Sequence, residues 1–368
     1  MRNGMGNLKR KNTSSRTKAF LSKSIYASVA KRITNTRFDL LVMIIAVSGA
    51  FASSTPSLIQ GTVKVEFVKK IWSDAPHNAF TDLEFYKGYW YCVFREAPTH
   101  FSKDGNGQIR IIRSADTETW TSVNIISDNY FDLRDPKITV TPKGRLMVNY
   151  FCLPLADTLL PQIAESRMVL SDDGEKWSSP RALNLKNELA WRIKWYKGNA
   201  YTISYQNNGG VILYKSANGV NFKQVCKLPL KGNPNEATIE FMPNGRMVAI
   251  IREEEKPNRT YIGYSEPPYT NWKFTESPKF AGGPNMIKLP DNNLLATFRQ
   301  YDNGAGKLWL GKIENNILTE ITELKSDGDC GYAGMFWKDD ALWLSYYSTH
   351  EKKTNIYLAK IVFNSIKK

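Results

Sequence analysis

The sequence of 368 residues predicts an all-β fold, a six-bladed β-propeller. Three observations lead to this prediction. Six short turns recur at nearly even spacing, a similar apolar strand follows each turn, and aromatic residues make up 12% of the chain. Aromatic rings pack well on pleated strands, so their abundance favours β structure. Units of about 50 residues that contain four strands are typical of propeller blades.

The six turns end at equivalent residues that permit tight hairpins. These residues are Gly88, Gly144, Gly198, Gly245, Asn292 and Asp340, with steps of 56, 54, 47, 47 and 48 residues between them. Gly, Asn and Asp tolerate the positive φ that such hairpins need. The strands after the turns run from YWYCVFR in the first unit to ALWLSYY in the sixth. Six similar units predict six blades.

The two ends of the repeat array complement each other. The sixth unit stops after three strands, whereas the segment 63–72, VKVEFVKKIW, precedes the first unit without a blade of its own. We predict that this N-terminal strand closes the last blade and covers an edge that would otherwise be exposed. The predicted propeller spans residues 62–366, after a linker at 53–61.

The first 52 residues are typical of an export signal. Residues 1–60 contain 10 Lys/Arg and a single acid, Asp39. The apolar run 40–47, LLVMIIAV, is followed by Ala-Phe-Ala at 50–52, which resembles a signal-peptidase site. A membrane-spanning helix needs about 20 apolar residues, so this run is too short for a stable anchor. We expect an exported protein, periplasmic or secreted, cleaved near Ala52 and without stable membrane insertion.

Charge and cysteine usage exclude several classes of partner. The net charge is +15, but 10 basic residues minus one acid leave +9 in residues 1–60 and only +6 in the rest. We therefore expect no nucleic acid partner. Separately, we expect a monomer. Four scattered cysteines and three histidines show no metal-ligand spacing, so we expect neither a metal nor a cofactor. Buried thiols are the simplest interpretation; a Cys152–Cys330 disulfide is the alternative in an exported chain.

Arginines recur at one position of the repeat. The residues seven positions after each turn are Arg95, Phe151, Tyr205, Arg252, Arg299 and Tyr347. Equivalent positions of a propeller face the same central funnel, where three guanidinium groups would repel one another unless an anion lay between them. A carboxylate accepts paired hydrogen bonds from the planar guanidinium. The pattern predicts a carboxylate-binding site; three unrelated surface arginines are the alternative.

Acids and a tyrosine stand where innermost strands begin. Asp135 and Glu236 both lie nine residues before the end of a turn. Tyr332 has small neighbours on both sides, in Cys-Gly-Tyr-Ala-Gly, which leave room around its hydroxyl. We predict Tyr332, Glu236 and Asp135 as catalytic residues. The alternatives are that Asp135 caps its turn or pairs with Arg134, and that Tyr332 is buried only for packing.

Several segments resemble bacterial sialidases (exo-α-sialidases, or neuraminidases). The segments SADTETW (114–120), SDDGEKW (171–177) and SANGVNF (216–222) resemble the Asp-box turns of that superfamily. NEATIEFMPNGRMVAIIR resembles the stretch whose Glu partners the nucleophilic Tyr and whose Arg belongs to an arginine triad, which implies these roles for Glu236 and Arg252. LLATFR implies the last triad arginine at Arg299, and GYAGMFWKDDALWLSYYS implies the nucleophile at Tyr332.

The chain also departs from the sialidase pattern. The family begins its first blade with Phe-Arg-Ile-Pro, whereas residues 80–83 here read Phe-Thr-Asp-Leu, so Arg95 or Arg134 is expected to supply the missing arginine. The family's acid/base Asp comes from the loop after the second strand, and no single carboxylate here matches it. We predict Asp135 for this role. The competitors are Asp82, Glu96 and His100, and we expect Asp82 and His100 to contact the substrate in any case.

These observations predict an exo-glycosidase that removes a terminal anionic sugar from a glycan. The sugar would be sialic acid or a related keto-deoxy or uronic acid, and the reaction needs no metal. Three alternatives remain open: a non-catalytic carbohydrate-binding propeller, another polysaccharide-active enzyme such as a uronic acid glycosidase or lyase, and a protein-interaction scaffold.

Overall fold

A computed structural model describes residues 58–101, 106–155, 163–206, 209–277 and 279–364. The described residues form 25 β-strands and one short 3₁₀ helix, Leu58–Gln60. No helix among them is long and apolar enough to cross a membrane. The predicted signal peptide, residues 1–52, lies outside the described residues.

The strands form six blades in chain order. Blade 1 consists of β2 (His77–Tyr86), β3 (Tyr89–Ala97), β4 (Gln108–Ser114) and β5 (Thr121–Ile126); blade 2 consists of β6 (Phe131–Val140), β7 (Leu146–Pro154), β8 (Glu165–Ser171) and β9 (Arg181–Lys186). Blade 3 consists of β10 (Leu189–Ala190), β11 (Lys194–Tyr196), β12 (Asn199–Gln206), β13 (Gly210–Ser216) and β14 (Lys223–Lys227). Blade 4 consists of β15 (Pro234–Phe241), β16 (Met247–Glu253), β17 (Arg259–Ser265) and β18 (Lys273–Ser277); blade 5 consists of β19 (Gly282–Lys288), β20 (Leu294–Asp302), β21 (Ala305–Glu314) and β22 (Ile317–Leu324).

Blade 6 is completed by the N-terminal strand. It consists of β23 (Gly331–Lys338), β24 (Ala341–Glu351), β25 (Lys353–Asn364) and β1 (Thr62–Trp72). β1 pairs antiparallel with β25, from Thr62 opposite Asn364 to Trp72 opposite Ile356. Neighbouring blades contact one another in cyclic order: β2 is next to both β6 and β23, β19 is next to both β15 and β23, and β10 of blade 3 contacts β7 of blade 2. The six-bladed propeller and its closure by the N-terminal strand are therefore confirmed.

The innermost strands share a β-bulge where they enter the ring. Pairing with the second strand slips between Ala79 and Asp82 in blade 1, and equivalent slips occur in blades 2, 4, 5 and 6. Phe80, Asp135 and Tyr332 occupy three of these bulges with positive φ, at 61°, 50° and 48°. Such a backbone is unfavourable for Phe and Tyr and better tolerated by Asp, and bulges often re-aim side chains beside functional sites. The bulges turn these side chains toward the central region.

Apolar packing between blades holds the ring together. One cluster joins residues of blades 1, 3 and 6 and contains Phe80, Trp191 and Tyr347, all nearly inaccessible to solvent. The four cysteines are free thiols, so the alternative of a Cys152–Cys330 disulfide is wrong for this structure. Burial raises the pKa of both thiols to about 12, which is consistent with inert core residues.

Candidate active site

A buried tyrosine and a buried glutamate form the centre of the site. The Tyr332 hydroxyl donates a short hydrogen bond to Oε1 of Glu236, although the two residues are 96 positions apart in the chain. Oε2 of Glu236 accepts a hydrogen bond of 2.8 Å from the backbone N–H of Gly283 and lies 2.9 Å from Nη1 of Arg252. Both carboxylate oxygens are thereby fixed, and one of them faces the phenol.

The bulges of three blades produce this arrangement. Glu236 and Tyr332 lie in the slipped segments of β15 and β23, which point them toward each other. Gly283 occupies the equivalent bulge of β19, with a φ of 56°. A Cβ atom at this position would lie 2.7 Å from Cδ2 of Tyr332, so a glycine is required beneath the tyrosine ring. The backbone N–H of Gly283 donates to Glu236, and the absence of a side chain leaves space for the Tyr332 ring.

Burial raises the pKa of both partners. For Glu236, desolvation outweighs the opposite effects of Arg252 and of the hydrogen bond from Tyr332, and the pKa lies above its usual range. For Tyr332, desolvation and the charge of Glu236 raise the pKa well above 10, while Arg252 and Arg299 oppose the shift. A glutamate with a raised pKa accepts a proton more readily than an exposed one. The raised pKa of Tyr332 keeps its hydroxyl protonated, so the phenol faces Glu236 as the hydrogen-bond donor.

Two arginines flank the pair, in agreement with their shared register. Arg252 in β16 uses all three guanidinium nitrogens, on Asn235, Glu236 and Glu254. Arg299 in β20 donates from Nη1 to the Cys330 carbonyl, and its guanidinium carbon lies 5.4 Å from the Tyr332 ring centre. Its Nη2 makes no hydrogen bond to any described residue. Arg299 lies beside the tyrosine but does not line the adjoining cavity.

Arg134 supplies a third guanidinium group at the cavity, whereas Arg95 does not. Nη1 of Arg134 donates to the backbone oxygen of His100 and to Oδ2 of Asp132, at 3.1 and 3.0 Å. Nη2 of Arg134 makes no hydrogen bond to a described residue. Arg95 is completely buried, and its Nε and Nη2 donate to Oδ1 of Asp132 while Nη1 donates to the Thr99 carbonyl. The predicted substrate contact of Arg95 is thus replaced by an internal ion pair.

The cavity beside Tyr332 has a volume of about 640 Å³. It combines charged groups with an apolar wall that the sequence did not indicate. It is lined by Phe80, His100, Phe101, Arg134, Asp135, Phe151, Leu153, Ala164, Asn187, Leu189, Tyr205, Gln206, Glu236, Arg252 and Tyr332. Asp135 is buried here, and among the described residues its carboxylate makes no hydrogen bond. That leaves its oxygens available to a ligand.

Two of the predicted acids are used elsewhere in the fold. Asp82 is buried outside the cavity, where Oδ2 accepts hydrogen bonds from the backbone N–H of Ile138 and from Arg192. Glu96 is buried too and accepts hydrogen bonds from Trp72, Gln108 and Arg110. Of the four candidates for the acid/base role, only Asp135 and His100 line the cavity.

His100 belongs to a cluster with His77 and Asp329. Both imidazoles contact the same carboxylate oxygen, Oδ2 of Asp329, at 2.7 Å from Nδ1 of His100 and 2.9 Å from Nε2 of His77. Oδ1 of Asp329 accepts a hydrogen bond of 3.0 Å from the Tyr347 hydroxyl. Among the described residues this is the group whose donor atoms lie close enough together, within 4.8 Å, to hold a metal ion. Sequence reasoning found only His100, because the three residues lie far apart in the chain.

Lys137 is the other charged residue that sequence reasoning missed. It follows Asp135 by two positions in β6 and is 2% exposed. Its ammonium nitrogen lies 4.8 Å from the centre of the Trp191 ring and 6.0 Å from that of Tyr332. Burial lowers its pKa to about 8, against the effect of Asp135 and the other acids nearby. The available signal was its position two residues after Asp135, at the entrance of an innermost strand.

Comparison with known proteins finds the fold but not a family. No protein-family model and no curated protein matches the chain. A crystal structure of a protein of unknown function from Dyadobacter fermentans is similar over 82% of this chain and 99% of that one, with 18% identity and a TM-score of 0.71.

Two of the similar structures are glycoside hydrolases. Trypanosoma rangeli sialidase in complex with sialic acid is 13% identical, with a TM-score of 0.61, over 78% of this chain and 55% of that one. The present chain thus spans about half the length of that sialidase. Penicillium chrysogenum α-L-arabinanase, complexed with arabinobiose, is 13% identical, with a TM-score of 0.56, over 81% of this chain and 98% of that one. At these identities, the similarity shows a sialidase-like propeller fold and leaves the activity to be argued from the site.

Proposed function

We propose that the protein is an exo-acting glycoside hydrolase of sialidase type that releases a terminal anionic sugar from a glycan. The sugar is sialic acid or a related keto-deoxy or uronic acid. The observation that supports this most is the hydrogen bond between the Tyr332 hydroxyl and Glu236, with Arg252 and Arg299 beside it. A neutral nucleophile next to cations suits a substrate that carries its own negative charge.

The chemistry explains why a phenol is preferable to a carboxylate here. In a 2-keto sugar acid the substrate carboxylate is attached to the carbon that reacts, and it would repel an anionic nucleophile. Tyr332 attacks that carbon with its oxygen while the glycosidic C–O bond breaks, and its proton passes to Glu236. A general acid protonates the departing oxygen. Water then displaces the phenol, and Glu236 returns the proton, so the anomeric configuration is retained.

The arginines are proposed to hold the substrate carboxylate. Arg134 lines the cavity, and its Nη2 is a donor without a partner among the described residues. Arg299 also has such an Nη2, but it lies beside the Tyr332 ring and outside the cavity lining. A carboxylate accepts such N–H groups strongly. Arg252, which contacts Glu236, adds positive charge on the same side. A neutral arabinose unit would leave these donors unused, which favours an acidic sugar over a neutral one.

The cavity's apolar wall fits the rest of a monosaccharide. A volume of about 640 Å³ accommodates one sugar with its substituents, and Phe151, Leu189 and Tyr205 offer surfaces for its less polar face. Asp135 lies among these groups with free oxygens that a substrate hydroxyl or a proton can reach. A structural neighbour also supports the proposal, because Trypanosoma rangeli sialidase has been crystallised as a covalent intermediate with 2,3-difluorosialic acid.

A donor screen with matched tyrosine variants tests this function. Aryl α-ketosides of sialic acid and of other keto-deoxy sugar acids, and aryl uronides, are offered to the wild-type protein. We expect turnover of an acidic donor, and a loss of roughly 10³-fold or more in Tyr332→Phe with unchanged folding. Tyr150→Phe is the control, because Tyr150 is also a buried tyrosine but lies in a core cluster away from the cavity.

The screen separates the proposal from its alternatives. A non-catalytic carbohydrate-binding propeller would bind acidic sugars without turnover, and Tyr332→Phe would change that binding little. Turnover of uronides alone, or release of an unsaturated product, would indicate the other polysaccharide-active enzyme. Substantial residual hydrolysis in Tyr332→Phe would disprove the assignment of the nucleophile.

A further inference from the structure

We infer that His100, oriented by Asp329, is the general acid/base of this site, in place of the predicted Asp135. This inference rests on the proposed function, because it assigns the group that protonates the leaving oxygen. The inference depends on the cluster of His77, His100 and Asp329 and on the position of His100 at the cavity.

The contacts within the cluster leave one ring nitrogen of His100 available for proton transfer. Nδ1 of His100 is bound to Asp329 at 2.7 Å, whereas its Nε2 makes no hydrogen bond to a described residue. The His100 ring lines the cavity, and its side chain is 33% exposed. His77 in contrast is buried and outside the cavity, so it braces the carboxylate from the other side. An imidazole held through one nitrogen by a carboxylate presents the other nitrogen in a defined protonation state.

Asp329 is built to remain an anion and to stay in place. Burial raises its pKa, but the hydrogen bonds from His100 and His77 outweigh this and hold the pKa well below the usual range. The Tyr347 hydroxyl and the side chain of Thr349, which donates to the Asp329 backbone oxygen, fix the carboxylate further. A fixed carboxylate bound to Nδ1 holds the imidazole ring in one orientation, with Nε2 as the free ring nitrogen.

Neighbouring arginines hold the loop that carries His100. Arg95 donates to the Thr99 carbonyl at 2.9 Å, and Arg134 donates to the His100 carbonyl at 3.1 Å. Arg95, which does not line the cavity, thus acts on the site through this loop. These contacts keep the imidazole on a short segment that follows β3.

The position of His100 suits a leaving group better than that of Asp135. An exo-acting enzyme buries the terminal sugar and leaves the rest of the glycan toward solvent. Asp135 lies in an innermost strand and is 8% exposed, on the side of Tyr332, whereas His100 lies in a partly exposed loop. The proton on Nε2 of His100 therefore passes to the departing oxygen as the C–O bond breaks, and Nε2 takes a proton from water in the second step. Asp135 is left to bind a substrate hydroxyl.

The test compares leaving groups, because an acid matters only when the departing oxygen needs a proton. The variants are His100→Ala, Asp329→Asn and Asp135→Asn, with His350→Ala as the control histidine outside the cluster. On a donor with a poor leaving group, such as a sialyl oligosaccharide, His100→Ala should lose roughly 10²–10⁴-fold. On a nitrophenyl donor the same variant should lose less than about 10-fold. Asp135→Asn should lower the turnover of both donors by the same factor.

A spectroscopic measurement complements the kinetics. The chain has three histidines, so imidazole ¹⁵N signals can be assigned by single substitution. Neutral His100 should carry its proton on Nδ1 in the wild-type protein and lose that preference in Asp329→Asn. The inference would be overturned if His100→Ala lost the same factor of activity on both donors. It would also be overturned if the activity loss of Asp135→Asn, and not that of His100→Ala, depended on the leaving group. The proposed function would stand in either case.

Two further outcomes are distinct from these. If the wild-type protein hydrolyses no acidic donor, the proposed function fails and the acid role fails with it, whatever the tautomer of His100. If hydrolysis is lost on treatment with a chelator and restored by Zn²⁺ bound at His77, His100 and Asp329, the cluster is a metal site and the acid role is wrong.

Discussion

At the scale of single residues, burial gives ordinary side chains unusual proton affinities. Tyr332 and Glu236 share a hydrogen bond and are both buried, and burial raises the pKa of both. In water neither group would exchange protons readily with the other at neutral pH. The surrounding arginines oppose the shift in both groups, so the site balances desolvation against positive charge.

Burial also lowers the pKa of Lys137, and this shift can be measured through the pH dependence of the protein's stability. Its pKa is about 8 in the folded protein and near 10.5 when unfolded, so between these pH values the unfolded chain binds more protons. Below pH 8 the cost of burying the charged ammonium group is fully present. From pH 8 to 10.5 the free energy of unfolding of the wild-type protein should therefore rise relative to that of Lys137→Met, by up to about 3 kcal/mol. Urea unfolding at several pH values measures this difference.

The exposed turn residue Lys143 provides the control for that experiment. Lys143→Met should show no such pH-dependent difference from the wild-type protein. A difference between wild-type and Lys137→Met that stays constant or falls above pH 8 would contradict the shifted pKa.

The sequence predicted some residues of the site and not others for a physical reason. Arg252 and Arg299 share a register position, and the structure brings both to Tyr332. Arg95 has the same register, but Asp132, from the neighbouring blade, binds its guanidinium. A register rule places a side chain on a strand and cannot show which distant residue neutralises it. Asp329 escaped notice for the same reason.

At the scale of elements, three turns between third and fourth strands share one hydrogen-bonding pattern. Oδ1 of Asp116, Asp173 or Asn218 accepts backbone N–H bonds of 2.8–3.0 Å from the residues two and three positions later. A serine two positions earlier contacts the same oxygen. Because Asn218 makes this pattern without a charge, geometry matters more than charge in these turns.

This pattern predicts how substitutions at Asp173 affect stability. Asp173→Asn should keep the turn, whereas Asp173→Ala should lower the melting temperature by roughly 1–3 °C. Backbone N–H groups of Lys176 and Glu175 lower the pKa of Asp173 to about 2, so its contribution is present above pH 4 and is lost as pH falls toward 2. Thermal unfolding between pH 2 and 7 should show this loss in the wild-type protein and not in Asp173→Asn.

The neighbouring Asp172 separates the turn's role from a general charge effect. Its side chain is exposed and pairs with Arg145, so Asp172→Ala should change stability little. An equal effect of Asp172→Ala and Asp173→Ala would show that the hydrogen-bonding pattern does not stabilise the turn.

At the scale of the whole molecule, turn spacing determined most of the fold prediction. Nearly even steps between hairpins gave the number of blades. A strand missing from the sixth unit and an unmatched strand before the first unit gave the closure of β1 on β25. The bulges were not predictable, because one slipped residue leaves the apolar pattern of a strand nearly unchanged. Yet these bulges aim Glu236 and Tyr332, so the fold was easier to predict than its site.

The N-terminal region makes a prediction about the mature protein. We propose that export removes residues 1–52, which carry nine of the fifteen net positive charges. Expression of the full chain in a secreting bacterial host should give an exported protein that begins near Ser53, as determined by intact mass and N-terminal sequencing. An exported or membrane-bound product that retains residues 1–52 would contradict the proposal.

Trapping of the covalent intermediate tests the central claim most directly. The protein is incubated with 2,3-difluorosialic acid, and with its 2-keto-3-deoxynononic counterpart, and its intact mass is followed before peptide mapping. We predict one adduct per chain, on the oxygen of Tyr332, and none in Tyr332→Phe. A folded wild-type protein that forms no adduct with either reagent, or that carries it on another residue, would contradict the account of Tyr332 as a nucleophile assisted by Glu236.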